Sequence, residues 1–104
     1  MQTVNNDSFR SQVRASGVTL VDFSAVWCPP CKVLKPIVQE LDAAYGEKLS
    51  VLMVDTDESP ELASEFGVMA NPTVIVFRDG EPVEKLVGLR PKAVYENVLS
   101  RYMS

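Results

Sequence analysis

Cys28 and Cys31 are the only cysteines of this 104-residue chain, and they stand in the run Trp27-Cys28-Pro29-Pro30-Cys31-Lys32. Two thiols at this spacing can close a reversible disulfide, so the first chemistry to consider is thiol–disulfide exchange. The apolar run from Val18 to Phe23 reads as a buried strand, and Lys32 to Tyr45 reads as an amphipathic helix. The pair therefore falls where a strand hands over to a helix. Free amide N–H groups and the helix dipole stabilise negative charge at such a start, so Cys28 is expected to ionise more readily than an ordinary thiol. Cys31, one helical turn on, can attack a mixed disulfide formed at Cys28 and release the partner as a thiol.

Two other readings compete. A purely structural disulfide suits small secreted scaffolds with several bridges and little core. Half of a zinc site needs four ligands, and this chain has no histidine and no second cysteine pair. Metal would require a dimer, so no metal ligands are expected. The Cys-x-x-Cys pattern is unspecific alone, but at a strand-to-helix junction in a short α/β chain it is a redox signature.

The elements that hold the pair must come from a modest core. With 46% hydrophobic residues the chain can bury one core, and residues 1–104 read as a single domain without linkers or low-complexity tracts. Met1 to Arg10 is polar and no apolar run reaches membrane-spanning length, so a soluble, cytoplasmic protein with no membrane partner is expected. A net charge of −4 argues against nucleic acid as a partner.

Along the chain, Asn6 or Asp7 is expected to cap a helix that runs to about Ala15, with Phe9 and Val13 as its apolar face and Gly17 as its end. In the helix after the cysteines, Val33, Ile37, Leu41 and Ala44 form one face, widened by Leu34 and Val38. Pro36 lies inside and should kink it, and Gly46 should close it. Leu49 to Asp55 reads as a strand. Ser59-Pro60 offers the cap and first residue of a short helix ended by Phe66-Gly67. Thr73 to Phe77 and Glu81 to Val87 flank Asp79-Gly80, a hairpin signal, and should pair antiparallel. A last helix runs from about Pro91 to Tyr102, with Val94, Val98, Leu99 and Tyr102 facing the sheet.

Taken together, Val21-Asp22-Phe23, Trp27-Cys28-x-Pro30-Cys31-Lys32, Pro36, Asn71-Pro72-Thr73, Phe77-x-x-Gly80 and Gly88 give a chain that resembles the thioredoxin family over nearly its whole length. The family is itself a known case of a tuned Cys-x-x-Cys thiol, so the helix-start argument repeats that case. The resemblance implies an α/β fold, a three-layer α/β/α sandwich with a central mixed five-stranded sheet in the order 1-3-2-4-5 and four helices. It also implies a monomeric general protein-disulfide reductase with no bound cofactor, whose Cys28–Cys31 disulfide is recharged by thioredoxin reductase, a flavoprotein that uses NADPH. Disulfide-containing proteins would be its substrates.

The resemblance assigns Cys28 as the attacking thiol and Cys31 as the buried resolving thiol. It makes Pro72 a cis proline, where Asn-Pro by itself reads as an ordinary trans turn. The backbone before that proline is then left to pair with an extended substrate, inside a contact surface of Trp27, Pro29, Pro30, Asn71, Pro72, Gly88 and Leu89. Asp22 has its own physical case. It interrupts an apolar strand at a position that should point inward, and an unpaired buried carboxylate is costly. Placed beneath the disulfide, it could take the proton of Cys31 as that thiol attacks.

Departures from the family pattern bear on tuning. Pro29 stands where glycine is common and gives Cys-Pro-Pro-Cys, a motif shared with tryparedoxins, whose insertions this chain lacks. Met53 stands where a lysine is often found, so Asp22 should be held protonated over more of the neutral range. Ser24 and Val26 replace bulkier or charged residues, and Asn71 replaces an apolar one. A redox-inactive binding module and a metal-bridged or cluster-bridged dimer are the competing functional classes. Insulin reduction separates them from an oxidoreductase.

Overall fold

In the computed structural model, which describes residues 1–103, the elements are β1 (Gln2–Val4), α1 (Phe9–Gln12), β2 (Val18–Ser24), α2 (Pro29–Tyr45), a 3-10 turn at Gly46–Lys48, β3 (Leu49–Asp55), α3 (Pro60–Glu65), β4 (Thr73–Arg78), β5 (Glu81–Val87) and α4 (Lys92–Tyr102). The five strands form one mixed sheet in the order β1-β3-β2-β4-β5. β3 runs parallel to both β1 and β2, whereas β4 runs antiparallel to β2 and β5 antiparallel to β4. This is the thioredoxin fold.

Strand alternation fills the two layers beside the sheet. Leu20, Val51 and Val76 join Leu34, Val38 and Leu41 of α2 and Tyr95, Val98 and Leu99 of α4 in one cluster. Val21, Phe23, Leu52, Val54, Ile75 and Phe77 point the other way and join Phe9 of α1 and Leu62 of α3. Phe66 packs into that second cluster, its ring 5.4 Å from those of both Phe9 and Phe77. β2 is buried at every position but its last, so both faces of the central strand are covered. Each fully buried Leu or Phe here stabilises the fold by roughly 1.5–3 kcal/mol.

Three features differ from the sequence reading. The first helix is four residues long and ends at Gln12, not about Ala15, and neither Asn6 nor Asp7 caps it. Instead the Asn5 side-chain oxygen accepts the N–H groups of Asp7 and Ser8, both at 3.0 Å, which makes a turn before the helix. Val13 then leaves the helix in an extended conformation, and Arg14 N–H donates to Thr19 Oγ1. Secondly, the buried stripe of α2 is Leu34, Val38 and Leu41, with Ile37 at its margin, whereas Val33 and Ala44 are exposed. Thirdly, β1 lies within a segment that reads as polar. It is a three-residue edge strand paired only to β3, and Val4 alone reaches the core.

The turn between β4 and β5 carries positive φ at both Asp79 and Gly80, the conformation that two-residue hairpins require. Asp79 also accepts the Gly17 N–H at 2.8 Å through its side chain, tying the hairpin to the entry of β2.

Candidate active site

β2 ends at Ser24, Ala25 to Trp27 form a turn, and Cys28 is the N-cap of α2 in an extended conformation. Pro29 and Pro30 occupy the first two helical positions, where a missing N–H removes no intrahelical bond and a fixed φ suits the helix start. Cys31 follows on the buried side. The two cysteines form a disulfide with Cα atoms 5.3 Å apart. Only 3% of Cys28 and 5% of Cys31 is exposed, while Pro29 and Pro30 beside them stand in solvent.

The segment before β4 closes on this pair from the opposite side. The Asn71–Pro72 peptide is cis, and the Asn71 carbonyl oxygen lies 3.7 Å from Cys28 Sγ. Pro72 is buried, and its carbonyl accepts the N–H of Gly88 at 2.8 Å. Gly88 has φ 81°, which carries the chain from β5 to the exposed Leu89. The Asn71 side chain meets Thr56, whose hydroxyl accepts from Asn71 Nδ2 at 3.2 Å. Trp27, Thr56, Met69, Ala70 and Asn71 line a groove of about 700 Å³ along this side. Trp27 is 64% exposed, so it is no core residue. Its indole N–H donates to Asp57 Oδ2 at 2.7 Å. Of the residues expected at a contact surface, Asn71 approaches Cys28 through its carbonyl, Pro72 is bonded to Gly88, and Trp27, Pro29, Pro30 and Leu89 are exposed.

Asp22 is fully buried on the α2 side of β2, in register with Met53 of β3 and Val74 of β4. Neither neighbour brings charge. Its Oδ1 accepts a hydrogen bond from the Ser24 hydroxyl, and its Oδ2 has no partner among the described residues. Burial pushes the carboxyl up from 3.8 to about 6, and the Ser24 hydrogen bond partly offsets that rise. A cavity of about 470 Å³ opens next to it, lined by Ser24, Cys31, Lys32, Lys35 and Met53 among others. Tyr95 of α4, held by the Arg90 N–H at 3.1 Å, titrates above its usual range. Burial is the main cause, and the negative charge of Asp22 adds to it.

Sequence reasoning missed three polar partners. Ser24 follows Asp22 by two residues and so shares its face of the strand, a signal that alternation alone offered. Asp57 and Thr56 lie in the loop after β3, where no periodicity marks them. Among the described residues, no three His, Cys, Asp or Glu side chains gather as a metal site.

The family model described as Thioredoxin matches residues 1–101. Thioredoxins from Staphylococcus aureus and Staphylococcus saprophyticus are 47% and 45% identical over 100 residues, covering 96% of this chain and 95% of each relative. A mutant thioredoxin from Halobacterium salinarum superposes with a TM-score of 0.90 at 34% identity, over 100% of this chain and 90% of that one. The Malassezia sympodialis thioredoxin gives 0.89 at 29% identity, over 100% and 91%. A disulfide across the first turn of a helix, set in this fold and matched end to end by these relatives, makes the chain a member of the thioredoxin family of thiol–disulfide oxidoreductases.

Proposed function

We propose that residues 1–104 act as one monomeric, cytoplasmic domain that reduces protein disulfides through Cys28 and is recharged by thioredoxin reductase, a flavoprotein drawing on NADPH. The observation that carries this is the Cys28–Cys31 disulfide at the start of α2. In the reduced protein, Cys28 thiolate attacks a substrate disulfide, forming a bond to one substrate sulfur and releasing the other as a thiolate. Cys31 then attacks Cys28 Sγ. The mixed disulfide breaks, the Cys28–Cys31 bond forms, and the second substrate sulfur leaves.

Asp22 takes the Cys31 proton in that second step. A carboxyl that titrates at about 6 is largely ionised at neutral pH, yet a far better proton acceptor than an ordinary aspartate. The substrate lies against Trp27, Pro29, Pro30, Asn71, Pro72, Gly88 and Leu89. Asn71 makes no backbone–backbone hydrogen bond among the described residues, which suits pairing with an extended segment of the partner.

Insulin reduction by dithiothreitol, with and without the protein, tests the activity. Cys28→Ser abolishes the acceleration, and Cys31→Ser accumulates mixed disulfides with the substrate. A Cys31→Ser variant that turns over at the parent rate would reverse the assigned roles.

A further inference from the structure

The cavity of about 470 Å³ and the buried carboxyl share one boundary residue. Ser24 lines the cavity together with Cys31, Lys32, Lys35, Met53 and others, and its hydroxyl is the only hydrogen-bond partner of the Asp22 carboxyl among the described residues. Asp22 itself is closed off from solvent, and Ser24 is half-buried. Among the described residues, no other neighbour is hydrogen-bonded to the carboxyl. Met53 and Val74, paired with Asp22 on either side, carry no exchangeable proton. Tyr95 of α4 feels the charge of Asp22, but its hydroxyl, which accepts the Arg90 N–H, makes no hydrogen bond to the carboxyl. Lys32 and Lys35 of α2, Asp55 of β3 and Glu58 are charged groups of the cavity wall, and none of them is hydrogen-bonded to Asp22.

We propose that Ser24 is a positioning residue of the exchange reaction, its hydroxyl holding the Asp22 carboxylate and joining it to the open cavity beside Cys31. A hydroxyl both donates and accepts, so it can hold the ionised carboxylate by donating. Once Asp22 is protonated, it can accept from the acid while donating outward. The proton balance is closed. Asp22 receives the proton of Cys31 while the Cys28–Cys31 bond forms and the partner's sulfur leaves as a thiolate. Asp22 then gives the proton up through Ser24 to solvent, where the thiolate collects it.

This inference rests on Asp22 as the acceptor of the Cys31 proton, so the experiment includes a variant that tests that reading alone. The release of a preformed Cys28 mixed disulfide is followed against pH in the parent, Ser24→Ala, Ser24→Thr and Asp22→Asn proteins, with carboxyl NMR of Asp22 alongside. Removing a hydrogen bond to a charged oxygen should move the Ser24→Ala inflection alkaline by about one to two pH units. Starting from a carboxyl near 6, release at pH 7 then slows about twofold to tenfold. Ser24→Thr, which keeps the hydroxyl, restores the parent profile. A Ser24→Ala profile superimposed on the parent, or a Ser24→Thr profile like that of alanine, overturns the proposal. Asp22→Asn releasing partner as fast as the parent would instead remove the proton-acceptor reading of Asp22 itself.

Discussion

Asp22 sits directly across from Met53 in the parallel register of β2 and β3, so the one buried carboxyl of the sheet faces a thioether and not a cation. That pairing leaves burial unopposed except by Ser24, and the titration near 6 follows from it. A carboxyl raised in the folded protein binds its proton more tightly there than in the unfolded chain. Folding stability therefore falls as pH rises from about 4 to about 6 and is flat above that for this group. Asp22→Asn should stabilise the protein at pH 7 by up to about 3 kcal/mol, the full pKa difference. The gain should vanish near pH 3. Urea melts of both proteins across this range measure it, and equal stability at pH 7 would show that the ionised carboxylate is compensated.

Met53→Lys places an ammonium next to the same carboxyl. An opposite charge at that distance should lower the Asp22 value by about one pH unit or more, and the stability lost above pH 4 should be recovered in proportion. Carboxyl NMR of the variant reads the shift directly. No change would mean that the lysine turns into the cavity and is screened there.

The two prolines after Cys28 are not equivalent. A side chain at the N-cap accepts from the N–H groups of the second and third helical residues, here Pro30 and Cys31, so only Cys31 offers that donor in this chain. Pro30→Ala should thus stabilise the Cys28 thiolate more than Pro29→Ala. Alkylation of the reduced protein below its thiol midpoint should speed up roughly threefold to tenfold for Pro30→Ala, with a smaller effect for Pro29→Ala. Equal effects would place the thiolate outside the cap geometry.

Asp57 holds the exposed indole of Trp27 at 2.7 Å, and neither residue belongs to either core cluster. Asp57→Ala should leave stability within about 0.5 kcal/mol. It should raise the KM for a protein disulfide about twofold to tenfold by freeing the ring, and lower the Trp27 fluorescence anisotropy. An unchanged anisotropy would show that packing alone fixes the indole.

Tyr95 is fully buried and accepts the Arg90 N–H. Tyr95→Phe keeps the ring but strands that amide, so it should destabilise by about 1–2 kcal/mol in urea melts. A neutral result would mean that water replaces the hydroxyl.

How much of this was legible depends on the kind of signal. β2, β3, the β4–β5 hairpin and α4 announce themselves through apolar runs, Asp79-Gly80 and helical spacing, and their bounds fall within a residue or two of the reading. The first helix does not, because Asn5 captures two amides, Val13 turns extended, and the next amide, that of Arg14, donates to Thr19 instead of continuing the helix. β1 carries one core residue in three, too few to show against its polar surroundings. In the site, the Cys28–Cys31 spacing and the inward position of Asp22 were readable from chemistry and alternation. The approach of Asn71 to Cys28 came only from the family resemblance, since 43 residues separate them and no local pattern links them. Thr56 and Asp57 stayed hidden because a hydrogen-bond partner supplied by a loop leaves no period in the sequence, whereas Ser24 was marked only by its place two residues after Asp22 on the same face of β2.

The near-complete burial of both sulfurs has a meaning for traffic in the cell. Cys28 and Cys31 together show bulk water almost nothing, whereas Trp27, Val26 and Met69 around them are wide open. A partner chain that approaches this side meets the open rim before it meets a sulfur. Recognition of a partner is thus spatially separate from the sulfur chemistry, the rim being open and the disulfide closed.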